Sequence, residues 1–252
     1  MKNKCYVDVS GGIGNQLFKV ANGYAYSQRY NLELVIDPTN WTASQGTSPI
    51  LYQSNIFKNF NIIPRGETTE IHEISFNFME LPKYDWSYGD ISLHGGFQSL
   101  KYFEDYKDEF ISLLCLPKVD TSFISSDANI AFHIRFGDYQ HYPKIFGDIT
   151  NYFHKQFEKF SPDFQINVFS DSPELVLNKF RNYKFNLIKT SSELNDLTLL
   201  SLHDRIVCSN STFSWWASLL GAKKELIIVP DKWLLDRDCK DIYYEGMIKN
   251  EF

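Results

Sequence analysis

His133, Arg135, Asp138 and Tyr139 stand within seven residues, in the run Ala131-Phe132-His133-Ile134-Arg135-Phe136-Gly137-Asp138-Tyr139. A guanidinium offers a planar fork of N–H donors that matches phosphate and carboxylate oxygens. Arg135 therefore has two readings, an interstrand or surface salt bridge and a phosphate-binding fork. A strand end before it and Gly137 beside it favour the fork. His133 alternates with Arg135 along an extended chain, so both project to one side. Asp138 has three roles open to it: general base, a carboxylate that orients Arg135, or a cap for the next turn. Phe136 reads as core.

A second stretch, Ser209-Asn210-Ser211-Thr212-Phe213-Ser214-Trp215-Trp216, complements the first. It follows the apolar Ile206-Val207-Cys208 and opens a helix. The first N–H groups of a helix lack intrahelical partners, and hydroxyls there add to the donor set. Ser211 and Thr212 make either an anion site or, more plainly, a helix cap. Trp215 and Trp216 read as rings packed on a sheet, with one of them available to stack on a ligand. Asp196, near the start of the preceding helix, either complements the helix dipole or accepts hydrogen bonds from the N–H edge of a guanine. Arg135, Ser211 and Thr212 for phosphate, with Asp196 for a base, compose a nucleotide-diphosphate site.

The turn Ser10-Gly11-Gly12-Ile13-Gly14-Asn15-Gln16 is the third feature. It is either a close-packed turn or a set of backbone N–H groups facing a phosphate. The full GxGxxG spacing is missing. Asp37, after the second strand, is the acid that would hold a ribose, so nicotinamide dinucleotide binding is a weakly supported rival. The only D-x-D, Asp236-Arg237-Asp238, reads as solvated surface, so no metal is expected. The cysteines, Cys5, Cys115, Cys208 and Cys239, form no CxxC pair and signal neither zinc nor a redox dithiol.

These groups need strands to carry them. Cys5 to Val9 reads as a strand, Leu17 to Arg29 as a helix, and Asn31 to Asp37 as a second strand, giving a parallel unit. Asn40 to Phe60 reads as loop with a short helix, and Asn61 to Gly89 as irregular chain. Ile91 to Gly96 reads as a strand, and Gln98 to Leu114 as a helix. Pro117 to Asp127 reads as a domain boundary. Strands at 129–134, 166–170, 185–188, 205–208 and 226–229 then alternate with helices at 150–160, 195–202 and 214–220. Ser172 and Pro173 open another helix. The expected division is an N-terminal α/β half over 1–118, a C-terminal α/β half over 119–233, and a tail segment over 234–252.

The net charge of −6 excludes a broadly basic nucleic-acid or anionic-lipid binder. The N-terminus lacks the apolar core of a signal peptide, and no apolar run approaches the roughly 18 residues of a membrane span. A soluble cytoplasmic protein is expected. Aromatic residues make up 16% of the chain; most of these rings read as core, and a carbohydrate-handling protein would also use them.

Gly11-Gly12-Ile13-Gly14-Asn15-Gln16-Leu17-Phe18, His133-Ile134-Arg135-x-Gly137-Asp138-Tyr139, Phe169-Ser170-Asp171 and the Ser209–Trp216 stretch resemble the α-1,2-fucosyltransferases of glycosyltransferase family 11. Gly95-Gly96-Phe97-Gln98-Ser99-x-Lys101-Tyr102-Phe103 and Asp196-Leu197-x-Leu199-Leu200-Ser201 match in the same order. The resemblance covers nearly the whole chain. It implies a GT-B-like α/β fold of two Rossmann-like halves with a cleft between them. It also implies an inverting, metal-independent enzyme that uses GDP-L-fucose and an oligosaccharide acceptor, commonly a terminal β-galactoside. Arg135 would bind the diphosphate, His133 and Asp196 the guanine, and Ser211, Thr212 and the turn Gly12, Gly14 and Asn15 the region of the phosphates. Arg135 and Asp138 would be catalytic, with Asp8 and a donor-phosphate oxygen as rival bases. The lack of a membrane anchor suits a bacterial or viral relative. The family pattern is HxRRxDY, and its second arginine is Phe136 here. Another deoxysugar nucleotide, such as UDP-L-rhamnose, and a non-catalytic sugar- or nucleotide-binding protein are the alternatives that this departure raises.

Overall fold

The computed structural model of the protein describes residues 2–39, 41, 46–124, 128–161, 163–221 and 223–252. The chain forms two compact units, one of Met1–Leu116 with Lys240–Tyr244, the other of Pro117–Cys239 with Glu245–Phe252. Part of the predicted boundary, 125–127, and part of the predicted first loop, 40 and 42–45, lie outside the described residues.

Unit 1 comprises β1 (Lys4–Asp8), α1 (Ile13–Tyr30), β2 (Glu33–Asp37), β3 (Asn61–Ile62), β4 (Thr69–His72), β5 (Ile91–His94) and α2 (Lys107–Leu113). Its sheet runs β3-β2-β1-β5-β4, and every pairing is parallel. Helix α1 starts four residues before the predicted Leu17, because Gly11 turns the chain at φ +81° and Gly12 acts as N-cap. It ends at Asn31, which takes the left-handed conformation that closes many helices. A Cβ added at Gly23 would lie 2.2 Å from Val7 Cγ1, so α1 rides directly on β1.

Two expectations differ from the structure in this unit. The predicted helix over Gln98–Leu114 is two 3-10 turns, Leu100–Tyr102 and Glu104–Tyr106, followed by α2. Phe103 leaves helical geometry at φ −136° and ψ 14°, which lets adjacent Tyr102 and Phe103 both bury. The irregular stretch Asn61–Gly89 contains β3 and β4. Strand β4 is an edge with only Ile71 buried, so it carries no apolar run to read.

Unit 2 comprises β6 (Asn129–Ile134), α3 (Pro143–Phe146), α4 (Thr150–Phe160), β7 (Gln165–Ser170), α5 (Pro173–Lys179), β8 (Asn186–Ile188), α6 (Glu193–Ser201), β9 (Arg205–Val207), α7 (Thr212–Leu219), β10 (Leu226–Pro230) and β11 (Met247–Asn250). Its sheet runs β11-β10-β9-β6-β7-β8, again all parallel. Strands covered on both faces are largely apolar, and β6 is buried at every position. Phe132 packs against Phe153, Phe157 and Phe160 on one face. The stretch predicted as a tail supplies β11 to this sheet, while Ile242, in the turn Lys240–Ile242, is buried in unit 1. Among the described residues no helix is long and apolar enough to cross a membrane.

Each sheet reverses its strand order once. In unit 1 the reversal falls between β1 and β5, and in unit 2 between β6 and β9. Connections leave opposite faces at such a point, so a crevice opens beyond the carboxyl ends of those two strands.

Candidate active site

In unit 2 the residues beyond β6 and β9 meet at this switch point. Ser209 N–H donates to the His133 carbonyl at 3.1 Å, and His133 Nδ1 lies 3.0 Å from Ser209 Oγ. The His133 ring stacks on Phe213, with centroids 5.0 Å apart. Tyr139 O–H donates to the Asn210 carbonyl at 3.1 Å. Asn210 in turn donates to the carbonyls of Phe146 and Trp233, both at 3.0 Å. The two loops are thereby fastened to each other by side chains that are themselves largely buried.

Arg135 emerges between them. Its Nη2 donates to Asp138 Oδ1 at 2.7 Å, and its Nε pairs with Asp171 Oδ2 at 3.0 Å. Its guanidinium carbon sits 5.5 Å from the Tyr139 ring centroid, and that ring stacks on Phe146 at 3.7 Å. Burial opposes its charge, but Asp171 and Asp138 outweigh burial and hold its pKa above the ordinary value. The side chain keeps 35% of its surface exposed.

Asp171 is a candidate site residue that the sequence reading left without a role. Strands β6 and β7 pair Ile134 with Ser170, so the next residues, Arg135 and Asp171, face each other as the strands end. Asp171 Oδ1 also accepts from Phe136 N–H at 3.1 Å, and Ser172 Oγ accepts from Gly137 N–H at 3.1 Å. The signal lay in the register of two parallel strands, which a spacing within one strand does not carry.

Ser211 is the N-cap of α7, its hydroxyl accepting from Phe213 N–H at 3.4 Å, and Thr212 is the first helical residue. Trp215 and Trp216 are wholly buried and pack edge to face at 5.3 Å, so neither ring is a ligand platform. Asp196 lies in the first turn of α6 and accepts from Thr190 N–H at 3.3 Å. Burial raises its pKa. Helix α6 starts on the same carboxyl edge of the sheet as Arg135, because all six strands are parallel. Phe136 is 4% exposed and sits among Phe180, Phe153 and Ile149 in the core. Beside Arg135 a pocket of about 200 Å3 is lined by Phe136, Tyr139, Phe146, Ile149 and Lys179. Gly12 is the N-cap of α1, and Gly14 and Asn15 lie in its first turn, in unit 1.

The profile of glycosyl transferase family 11 matches residues 51–249. The chain belongs to glycosyltransferase family 11. The O-antigen biosynthesis glycosyltransferase WbnK of Escherichia coli is 25% identical over 96% of this chain and 99% of its own length. An alpha-1,2-colitosyltransferase of Escherichia coli is also 25% identical, over 89% of this chain and 90% of its own. The fucosyltransferase NodZ from Bradyrhizobium superposes with a TM-score of 0.55 at 14% identity, covering 88% of this chain and 94% of that one. NodZ soaked with GDP-fucose gives a TM-score of 0.54 at 14% identity, covering 88% and 93%. The family 11 chain therefore has the GT-B fold, as the family resemblance implied.

In this family 11 glycosyltransferase, burial drives the His133 pKa down to about 3, with the nearby Arg135 charge adding to the effect. The ring is thus neutral at neutral pH. Its unfolded counterpart takes up a proton near pH 6.5. Between these values the unfolded chain binds more protons, so stability falls as pH is lowered through 6.5. His203, buried against Asn167 and the Leu199 carbonyl, shifts in the same direction. Urea unfolding is expected to show about 2 kcal/mol less stability at pH 5 than at pH 7 from His133 alone. A flat profile between those pH values would contradict it.

Proposed function

We propose that the protein is an inverting fucosyltransferase. It moves L-fucose from GDP-L-fucose to a glycan hydroxyl, in α-1,2 linkage on a terminal β-galactoside, without a bound metal. Unit 2 takes the donor and unit 1 the acceptor. The observation that carries this reading is the Arg135 fork, pinned at the switch point by Asp171 and Asp138 while its side chain stays partly exposed.

Glycosyl transfer to an alcohol leaves a nucleoside diphosphate, and negative charge grows on its bridging oxygen as the anomeric bond breaks. Donors already oriented toward that charge stabilise the transition state without reorganising. Arg135 supplies a fixed cation, and the N-terminus of α7 at Ser211 and Thr212 supplies uncompensated N–H groups. A guanine presents N1–H and N2–H together, a pair that one carboxylate accepts, and Asp196 on the same sheet edge suits that role. Neutral His133 adds no competing charge. Asp138 orients Arg135 in this scheme.

A second reading keeps the reaction and changes the sugar. The relative named for colitose transfer, together with Phe136, favours a different deoxysugar donor. A donor panel of GDP-fucose, GDP-colitose and UDP-rhamnose, with linkage analysis of the product, decides between them. Transfer from GDP-fucose onto a β-galactoside, undiminished by EDTA, is expected. Turnover of another donor in its place moves the assignment to that sugar, and nucleotide binding without transfer ends the enzymatic reading.

A further inference from the structure

The pocket beside Arg135 is lined by a second cation. Lys179, the last residue of α5, shares it with Arg135, Phe136, Tyr139 and Phe146. Every residue of the lining belongs to unit 2. The next residue, Phe180, anchors the end of α5, since its ring is wholly buried and stacks on Phe136 at 6.4 Å. Lys179 is half-buried, and its ammonium stands 5.6 Å from the centroid of the same Phe136 ring. That is within reach of a cation–π contact, which steadies the charge where it lies.

Two ordinary roles leave this placement unexplained. A cation in the last turn of a helix complements the dipole wherever its side chain points, and that does not require it to line a pocket. An ion pair with Asp148, which lines the same pocket, is the other role. Burial opposes the Asp148 charge, but the Thr150 hydroxyl and N–H, with the Lys179 charge, outweigh it and hold the pKa below the ordinary carboxylate value. Asp148 Oδ1 is taken by Thr150 N–H at 3.0 Å. Among the described residues no ion pair closes on the Lys179 ammonium.

The electrostatics of Arg135 call for such a cation. Its guanidinium is flanked by two carboxylates, Asp138 and Asp171. One positive group between two negative ones leaves the triad net negative, so a diphosphate drawn to the fork is repelled by the fork's own supports. A cation facing the same cavity offsets the excess carboxylate. The two side chains also divide the work. A guanidinium grips two phosphate oxygens in its plane, and an ammonium on a flexible stem acts as a point charge toward a third. The family pattern carries its second cation at position 136, beside Arg135 in the chain. Here a ring fills that place, and the ammonium over the ring comes from α5.

We propose that Lys179 is a donor-binding residue, which contacts the nucleoside diphosphate from the pocket beside Arg135 and supplies the second cation of that site. The proposal rests on the glycosyltransferase reading above, and it concerns the phosphates alone, so it holds for a guanosine or a uridine donor. Lys179 acts in binding. It neutralises charge that the donor carries before and after transfer, so its effect falls on donor KM more than on kcat.

Lys179→Met keeps an unbranched stem over Phe136 and removes the charge. It is expected to weaken GDP binding about tenfold by calorimetry, the scale of one charge-assisted contact. Guanosine, which lacks the phosphates, should bind wild type and variant equally in competition with a fluorescent nucleotide, and the urea midpoint should stay close to wild type. Lys179→Arg keeps the charge and should restore most of the GDP affinity. If the donor panel selects a uridine donor, UDP and uridine take the places of GDP and guanosine. A Lys179→Met protein whose nucleoside diphosphate affinity lies within about twofold of wild type overturns the assignment. So does an equal loss for diphosphate and nucleoside, which is what a merely structural lysine would give. A wild type that transfers while Lys179→Met binds the diphosphate normally fails the Lys179 contact alone. A wild type that binds the diphosphate through Lys179 and transfers from no nucleotide sugar fails the transferase reading and keeps the contact.

Discussion

Replacing Arg135 with alanine is expected to lower donor kcat/KM by about a thousandfold, the scale of losing a preorganised donor to developing charge. The argument is geometric. The fork is held on its Nε side by Asp171 and at Nη2 by Asp138, and it lies over Tyr139. It therefore needs no rearrangement when charge appears on the diphosphate. Most of the loss should fall on kcat, because the interaction strengthens as the anomeric bond breaks. GDP affinity should fall as well, by about tenfold, since the ground-state diphosphate already carries charge. Arg135→Lys should recover only part of the rate. One ammonium cannot hold two carboxylates and still face a phosphate with a planar edge. Steady-state kinetics with calorimetric titration of GDP measure both quantities. An Arg135→Ala enzyme within about tenfold of wild type would remove the leaving-group role.

Much of unit 2 could be read from the chain because its strands are central and parallel. Residues 129–134 form an unbroken buried run, and β6 has those bounds. Strands β3, β4 and β11 could not be read, because each lies at a sheet edge with few buried positions. The helix starts shifted for a local reason. Gly12 and Ser211 are N-caps, so α1 and α7 begin before the first apolar residue of the periodic pattern.

The candidate site divided in the same way. Arg135, His133 and the Ser211 junction follow strands that spacing identifies, and they end up fastened together. Their supports come from other strands. Asp171 reaches Arg135 through the β6–β7 register. Pairing between distant strands is a tertiary property, so a single sequence shows the members and hides the partnership. Phe136 illustrates the converse. Its ring fills the core over Phe180, so the missing second arginine of the family pattern is a packed ring in this chain.

The support given by Asp171 yields the second large effect. Asp171→Asn is expected to lower kcat/KM by about a hundredfold, the scale of a small misplacement at a reacting group. The asparagine carbonyl can still accept from Phe136 N–H, as Asp171 Oδ1 does at 3.1 Å. Its amide nitrogen then faces Arg135 Nε, donor against donor, and the fork is released. Stability should change little in this variant. Asp171→Ala removes both acceptors and leaves the Phe136 N–H unmatched, adding about 1–3 kcal/mol of destabilisation to the same kinetic loss. Gly137→Ala gives a third route. An added Cβ would lie 2.1 Å from Asp171 Oδ2, so the carboxylate must move although both Arg135 and Asp171 are present. If positioning is the role of Asp171, Asp171→Asn and Gly137→Ala lose kcat/KM together, while only Asp171→Ala also loses stability by urea unfolding. Full activity in Asp171→Asn would mean that Asp138 alone orients the guanidinium. Activity lost in Asp171→Asn and kept in Gly137→Ala would mean that the charge matters and its place does not.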